Sequence, residues 1–212
     1  MKGLLLKDFY MVIKYCRTYL LIAVIFMLVS LAGNENLFLV FYPCMLCGMI
    51  PTNLLGYDER SRWLQYCSTL PYTKTQFVSA KYLIGLLSQI AMLAMIGSAQ
   101  AIRMCLDGSF CFSDYMSVLL LIFVMSTVVS SVSHPFMFKL GVEKGRIVYL
   151  VIVGIICACG VVASNISREM LQAEIRLNHT LWIFCVAGIL LYALSWYLSV
   201  LFFRKREIGL AN

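Results

Sequence analysis

Residues Tyr115–Phe138 read YMSVLLLIFVMSTVVSSVSHPFMF, 24 positions without an aspartate, glutamate, lysine or arginine. A helix rises about 1.5 Å per residue, so roughly 20 residues cross a hydrocarbon core about 30 Å thick. This run is long enough to cross. It lacks the apolar–polar alternation of a barrel strand, and a helix satisfies its own backbone polar groups in a solvent that offers no partners. Five more such runs accompany it: Thr18–Asn34, Asn36–Tyr57, Tyr82–Ile102, Ile147–Ser167 and Thr180–Phe203, of 17, 22, 21, 21 and 24 residues. The first is short and borrows flanking residues. The sequence therefore predicts an all-α integral membrane protein with six transmembrane helices in one domain spanning 1–212.

Composition points the same way. The 212 residues are 62% hydrophobic and 13% charged, whereas soluble domains carry about 25% charged residues. The net charge of +7 does not indicate nucleic acid. Its basic residues fall in short clusters between the runs, not on one face of a domain. A lipid bilayer is the expected environment. The first run has a basic start, but no small-residue cleavage site follows it, so it reads as a span and not as a signal peptide. A tight turn at Gly33–Asn36 leads into the second.

Orientation follows from the basic residues. With the N-terminal end inside, inner segments hold 14 of the 17 lysines and arginines, and outer segments hold only Arg103, Arg168 and Arg176. The positive-inside bias predicts that both termini face the cytoplasm. Before the first span, Leu5, Phe9, Val12, Ile13 and Cys16 gather on one side of a helical wheel. Lys7, Asp8, Lys14, Tyr15 and Arg17 gather on the other. This predicts an amphipathic helix over residues 1–17, lying in the inner interface with its lysines toward anionic headgroups.

The longest polar interval is the inner loop at residues 57–81. Trp63 and Tyr66 are spaced by three, as are Leu64 and Cys67, which predicts a short helix over Tyr57–Ser68. Asp58 and Glu59 would stand at its N-terminal end, where acids suit the helix dipole. Pro71 ends that segment. Thr73 and Gln76 have the spacing of a capping box for a helix entering the third span. The loop reads as a structured helix–turn–helix projection into the cytoplasm. The outer segment Arg168–His179 suggests a short surface helix.

The chemistry of an intramembrane enzyme is missing. Metal hydrolysis commonly draws on histidines and a carboxylate close in sequence, as in H-E-x-x-H. The two histidines, His134 and His179, fall at opposite sides of the bilayer, and no run contains a carboxylate. No catalytic residue and no metal site are expected. Cys44 and Cys47 lie within an apolar run, where a thiol acts as a small apolar group. Cys105 and Cys111 share an outer loop and are a candidate disulfide pair. Asn53, Gln89 and Gln100 read as interhelical hydrogen-bonding residues. The sequence has no G-x-x-x-x-G-K-[ST] phosphate-binding loop, so any ATP chemistry would belong to another chain.

Two stretches carry a family resemblance: LLLKDFYMVIKY (Leu4–Tyr15) and YDERSRWLQYCSTLPYTKTQFVSAKYLIGLL (Tyr57–Leu87). They resemble the membrane subunits of ABC exporters of the type-2 permease superfamily. More narrowly, they are similar to the small six-span bacterial permeases that include phenol-soluble-modulin peptide exporter subunits. The pattern is an acid pair, a basic residue, a serine, a basic residue and tryptophan at Asp58, Glu59, Arg60, Ser61, Arg62 and Trp63. It continues with Leu70–Pro71 and Lys81–Tyr82–Leu83. The remaining chain agrees in span count and orientation.

The resemblance implies a multi-pass protein of the bacterial cytoplasmic membrane that pairs with a second permease chain, identical or related. Two cytoplasmic ATPase subunits would bind below and hold the ATP and Mg, with no cofactor bound by this chain. It implies that Tyr57–Leu70 is the coupling element, with Tyr57, Asp58, Glu59, Arg60, Arg62, Trp63, Tyr66 and Leu70 as its site residues. The amphipathic start would be an elbow-like interfacial helix. It also implies outward movement of an amphipathic cargo, such as a peptide, toxin or antimicrobial. Tyr42, Met45, Met49 and Asn53 on the second span are the candidate cargo path. The alternative from another class is a membrane sensor or immunity protein that transports nothing and docks a cytoplasmic partner.

Overall fold

A computed structural model describes residues 2–15, 17–32, 37–67, 69, 71–106, 111–170 and 177–208. Among them are nine α-helices and no strand: α1 (Lys2–Tyr15), α2 (Arg17–Ala32), α3 (Leu37–Gly48), α4 (Ile50–Arg60), α5 (Trp63–Cys67), α6 (Lys74–Leu106), α7 (Phe112–Leu140), α8 (Val142–Met170) and α9 (Leu177–Ile208). The predicted turn at Gly33–Asn36 and residues 171–176 of the predicted outer helix lie outside the described residues; Arg168–Met170 belong to α8 and Leu177–His179 to α9.

Where the sequence predicts six spans, three helices among the described residues are long and apolar enough to cross a membrane: Lys74–Cys105, Tyr115–Leu140 and Ile183–Lys205. α2 has 16 residues. The second predicted span is divided between α3 and α4 at Met49, and Pro51 is the reason. Proline has no N–H to offer the carbonyl of Cys47, and its ring crowds that carbonyl. The chain therefore tightens through Met49 N–H to Leu46 O at 3.1 Å and restarts with Asn53 N–H to Met49 O at 3.1 Å. The stranded Cys47 carbonyl instead accepts from Ser88 Oγ on α6 at 3.4 Å.

α4 then continues beyond the predicted span end. Its last turn reaches Arg60, so Asp58 and Glu59 close α4 and do not open a coupling helix. The helix dipole favours acids at the opposite end; at Asp58, Lys7 and Lys81 override it. The turn at Ser61–Arg62 separates α4 from the five-residue α5, and Arg62 carries a left-handed φ of 54°. The capping box forms as spelled by the sequence. Thr73 N–H donates to Gln76 Oε1 at 3.2 Å, and Gln76 N–H donates to Thr73 Oγ1 at 3.3 Å. At the other inner turn, Gly141 adopts φ 87°, and its N–H closes α7 on Met137 O at 3.0 Å.

Polar side chains join the long helices in the interior. Gln89 Nε2 on α6 donates to Ser130 Oγ on α7 at 2.6 Å. The Tyr82 hydroxyl on α6 bonds with Ser195 and Ser199 on α9 at 2.7 and 2.6 Å, and Tyr192 OH donates to the Tyr82 carbonyl at 2.9 Å. Such bonds act between helices where the hydrophobic effect cannot, at about 0.6 kcal/mol each on average. Below them, Leu4, Leu55, Cys67, Phe77, Phe138 and Phe203 form one apolar core drawn from α1, α4, α5, α6, α7 and α9.

α1 corrects the predicted placement of Asp8. The buried face is Leu4, Asp8 and Val12. Phe9 and Ile13 are 54% and 53% exposed. Asp8, expected among the headgroup-facing residues, is instead the most enclosed position of its helix.

Candidate coupling site

The end of α4 and the start of α6 pack against α1, Trp63 of α5 meets Lys7 there, and charge fixes the contact. Asp58 is 1% exposed. Lys7 Nζ donates to Asp58 Oδ1 at 2.5 Å. Lys81 Nζ lies 2.5 Å from Asp58 Oδ2, an ion pair outside hydrogen-bond angles. Lys81 Nζ also donates to Asp8 Oδ1 at 2.8 Å, and Lys7 Nζ stands 3.3 Å from that oxygen. The side chains of Asp8 and Lys81 are both fully buried, while Lys7 is 22% exposed. Two lysines thus neutralise two aspartates contributed by α1, α4 and α6. These contacts also explain how Asp58 is tolerated near a helix C-terminus, where a carboxylate is normally disfavoured.

Aromatic groups extend the cluster toward α5. Lys7 Nζ sits 4.4 Å from the Trp63 ring centroid, a cation–π contact. Trp63 packs at 5.3 Å on Tyr66, and Tyr57 stacks on Tyr15 of α1 at 4.6 Å. Cys67 anchors α5 in the apolar core. The proposed site residues therefore divide by direction. Asp58 is enclosed, while Tyr57 and Trp63 are half-buried against α1. Glu59 is half-buried, whereas Arg60, Arg62 and Tyr66 are exposed, as is Gln65, which the sequence reading passed over. Leu70 lies outside the described residues.

Sequence reasoning missed Asp8 and Lys81 as partners, although a signal existed. Asp8 falls four residues from both Leu4 and Val12, on the face that packs. Lys81 falls four from Phe77 and from Gly85, again on the packed face of its helix. A lone acid on one apolar stripe and a lone base on another are candidates for each other.

Beside this cluster, a cleft of about 460 Å³ opens between α4 and the α7–α8 turn. Arg146 Nη2 crosses its floor to donate to Asn53 Oδ1 at 3.0 Å. Among the described residues no group of three or more His, Cys, Asp or Glu is placed to hold a metal. Cys105 and Cys111 are both free thiols and exposed.

Residues 3–204 match the family described as ABC-2 family transporter protein. The chain belongs to that family. No curated protein and no solved structure gives a match. For an ABC-2 family protein, the expected setting is a membrane and the expected partner is an ATPase subunit. Of the candidate cargo residues of this ABC-2 family protein, Asn53 lines the cleft between α4 and the α7–α8 turn. Met45 is buried in a cluster with Val129 and Tyr149, and its carbonyl accepts from Tyr149 OH at 2.6 Å. Tyr42 is half-buried against Phe26 with centroids 4.7 Å apart. Met49 is half-buried at the helix break, and Asn53 is occupied by Arg146.

Proposed function

We propose that this ABC-2 family protein is the transmembrane subunit of an ATP-driven exporter, with α5 and the flanking Ser61–Arg62 turn as the element that docks an ATPase subunit. The observation that carries the reading is the form of this segment. It is ordered, anchored from beneath by Trp63 and Cys67, and displays Arg60, Arg62 and Tyr66 outward. Arginine and tyrosine are residue types that concentrate binding energy at protein interfaces. In this scheme both termini and α5 face the cytoplasm of a bacterial cell, the chain works with a second permease chain, and ATP and Mg reside on the ATPase subunits. The cargo is amphipathic, with a peptide the favoured class, as in the small peptide-exporting permeases that the chain resembles.

The test is co-purification with a co-expressed ATPase subunit, followed by ATP-dependent accumulation of a fluorescent amphipathic peptide in inside-out vesicles. Arg62→Glu combined with Tyr66→Ala is expected to abolish ATPase capture while the permease remains folded. Capture that survives this pair would remove α5 from the interface. Vesicles that hold both subunits yet accumulate no peptide above an ATP-free control would refute the peptide cargo.

A further inference from the structure

Lys7 and Asp8 lie on α1, 51 and 73 residues from the side chains they meet, Asp58 and Lys81. Nothing in the chain's connectivity ties α1 to the coupling segment, so the buried charges and the core beneath them make that link. We propose that Lys7 and Asp8 are positioning residues that pass a displacement of α5 to α1, and through α1 to the start of α2. The inference rests on the coupling role of α5 proposed above.

The route is short and continuous. Trp63 of α5 lies on the Lys7 ammonium; Lys7 grips Asp58 of α4 and contacts Asp8; Asp8 is held by Lys81 of α6. Each lysine contacts both aspartates. No single member can leave without exposing an unneutralised charge to a water-poor interior, so the three helix segments shift together. Stability alone does not account for such a cluster, because apolar side chains of similar volume usually serve as well or better in a buried site. What charges add is a fixed register between elements, the best-attested use of buried ionic groups. α1 is also well placed to receive motion. One residue separates it from α2, and its outer face of Leu6, Phe9, Tyr10 and Ile13 is exposed.

The experiment uses the permease–ATPase complex in lipid nanodiscs and compares amide hydrogen exchange with and without trapped ADP–vanadate. Lys7→Met with Asp8→Asn is the informative variant. It removes one positive and one negative charge, leaving the neutral Lys81–Asp58 pair in place while cutting α1 out of the cluster. The expected result is a nucleotide-dependent exchange difference in α1 and the first turn of α2 of the natural protein, lost in the variant. The corresponding difference at the start of α6 is retained.

Trp63→Leu cuts the α5 end of the route without touching a buried charge; measured in the complex it forms with the ATPase, it is expected to lose the same α1 response. A purely structural role would lower protection of α1 in both nucleotide states and leave the difference intact; that outcome overturns the inference, as does a full α1 response in either variant. Absence of any ATPase complex with the natural sequence would instead defeat the docking role of α5, and the transmission role with it.

Discussion

Removing Lys81 alone and removing it together with Asp8 are expected to have very different costs. Lys81 and Asp8 are fully buried, with Nζ and Oδ1 2.8 Å apart. At that distance, the gross attraction is about 6 kcal/mol for an effective dielectric of about 20. Desolvation of both ions offsets most of it, so the pair adds little net stability. Lys81→Met leaves Asp8 and Asp58 buried with one lysine between them, and such a stranded charge costs about 3–5 kcal/mol. Asp8→Asn strands the opposite charge and should cost about 1–3 kcal/mol, because Lys81 keeps Asp58 as a partner. The double variant restores neutrality through the Lys7–Asp58 contact at 2.5 Å. Its cost should fall short of the two single costs combined by about 2–3 kcal/mol, at the upper end of couplings between contacting residues.

The assay is reversible unfolding by sodium dodecyl sulfate in mixed micelles, followed through tryptophan fluorescence for all four proteins of the cycle. Additivity to within about 0.5 kcal/mol, the level seen for independent sites, would refute the electrostatic account of this cluster.

Three further outcomes follow from local geometry. Gly141→Ala places a side chain where φ is 87°, and should lower stability by about 1–3 kcal/mol in the same unfolding assay. Thr73→Ala removes the acceptor for Gln76 N–H at the start of α6, and should cost about 1 kcal/mol. A serine at position 73 should recover most of that loss. Arg62→Gly relieves a left-handed residue, so the fold should become slightly more stable, by up to about 1 kcal/mol, yet ATPase capture in a pull-down should weaken. Loss of both properties together would mean that Arg62 acts through folding and not as a contact.

Much of this architecture is legible in particular residues. The runs around Tyr82–Ile102, Tyr115–Phe138 and Thr180–Phe203 become long apolar helices because apolar length is a one-dimensional property. The capping box at Thr73 and Gln76 forms because its partners are three residues apart and need no tertiary support. Pro51 was equally legible as a helix breaker, but a hydropathy window weighs only apolarity and passes over a missing N–H. The short helix α5 in the polar segment after α4 was readable from the spacing of Trp63 and Tyr66. The facing of the charges before it was not, because the sequence treats Asp58, Glu59, Arg60 and Arg62 as one charged patch. The structure turns Asp58 inward and leaves the two arginines outside.

By itself, then, the sequence determines that this is a helical membrane protein, where its long helices lie, and that a structured polar segment follows the second apolar run. Those properties depend on apolar length, local hydrogen bonding and turn chemistry, all of which act between near neighbours. Only the tertiary structure decides that Asp8 and Lys81 meet, that α1 presents Phe9 outward and Asp8 inward, and that Asp58 is enclosed as a member of an ion-pair cluster. Each depends on charges more than fifty residues apart converging in a space without water to receive them, where an ion keeps its charge only by finding its opposite.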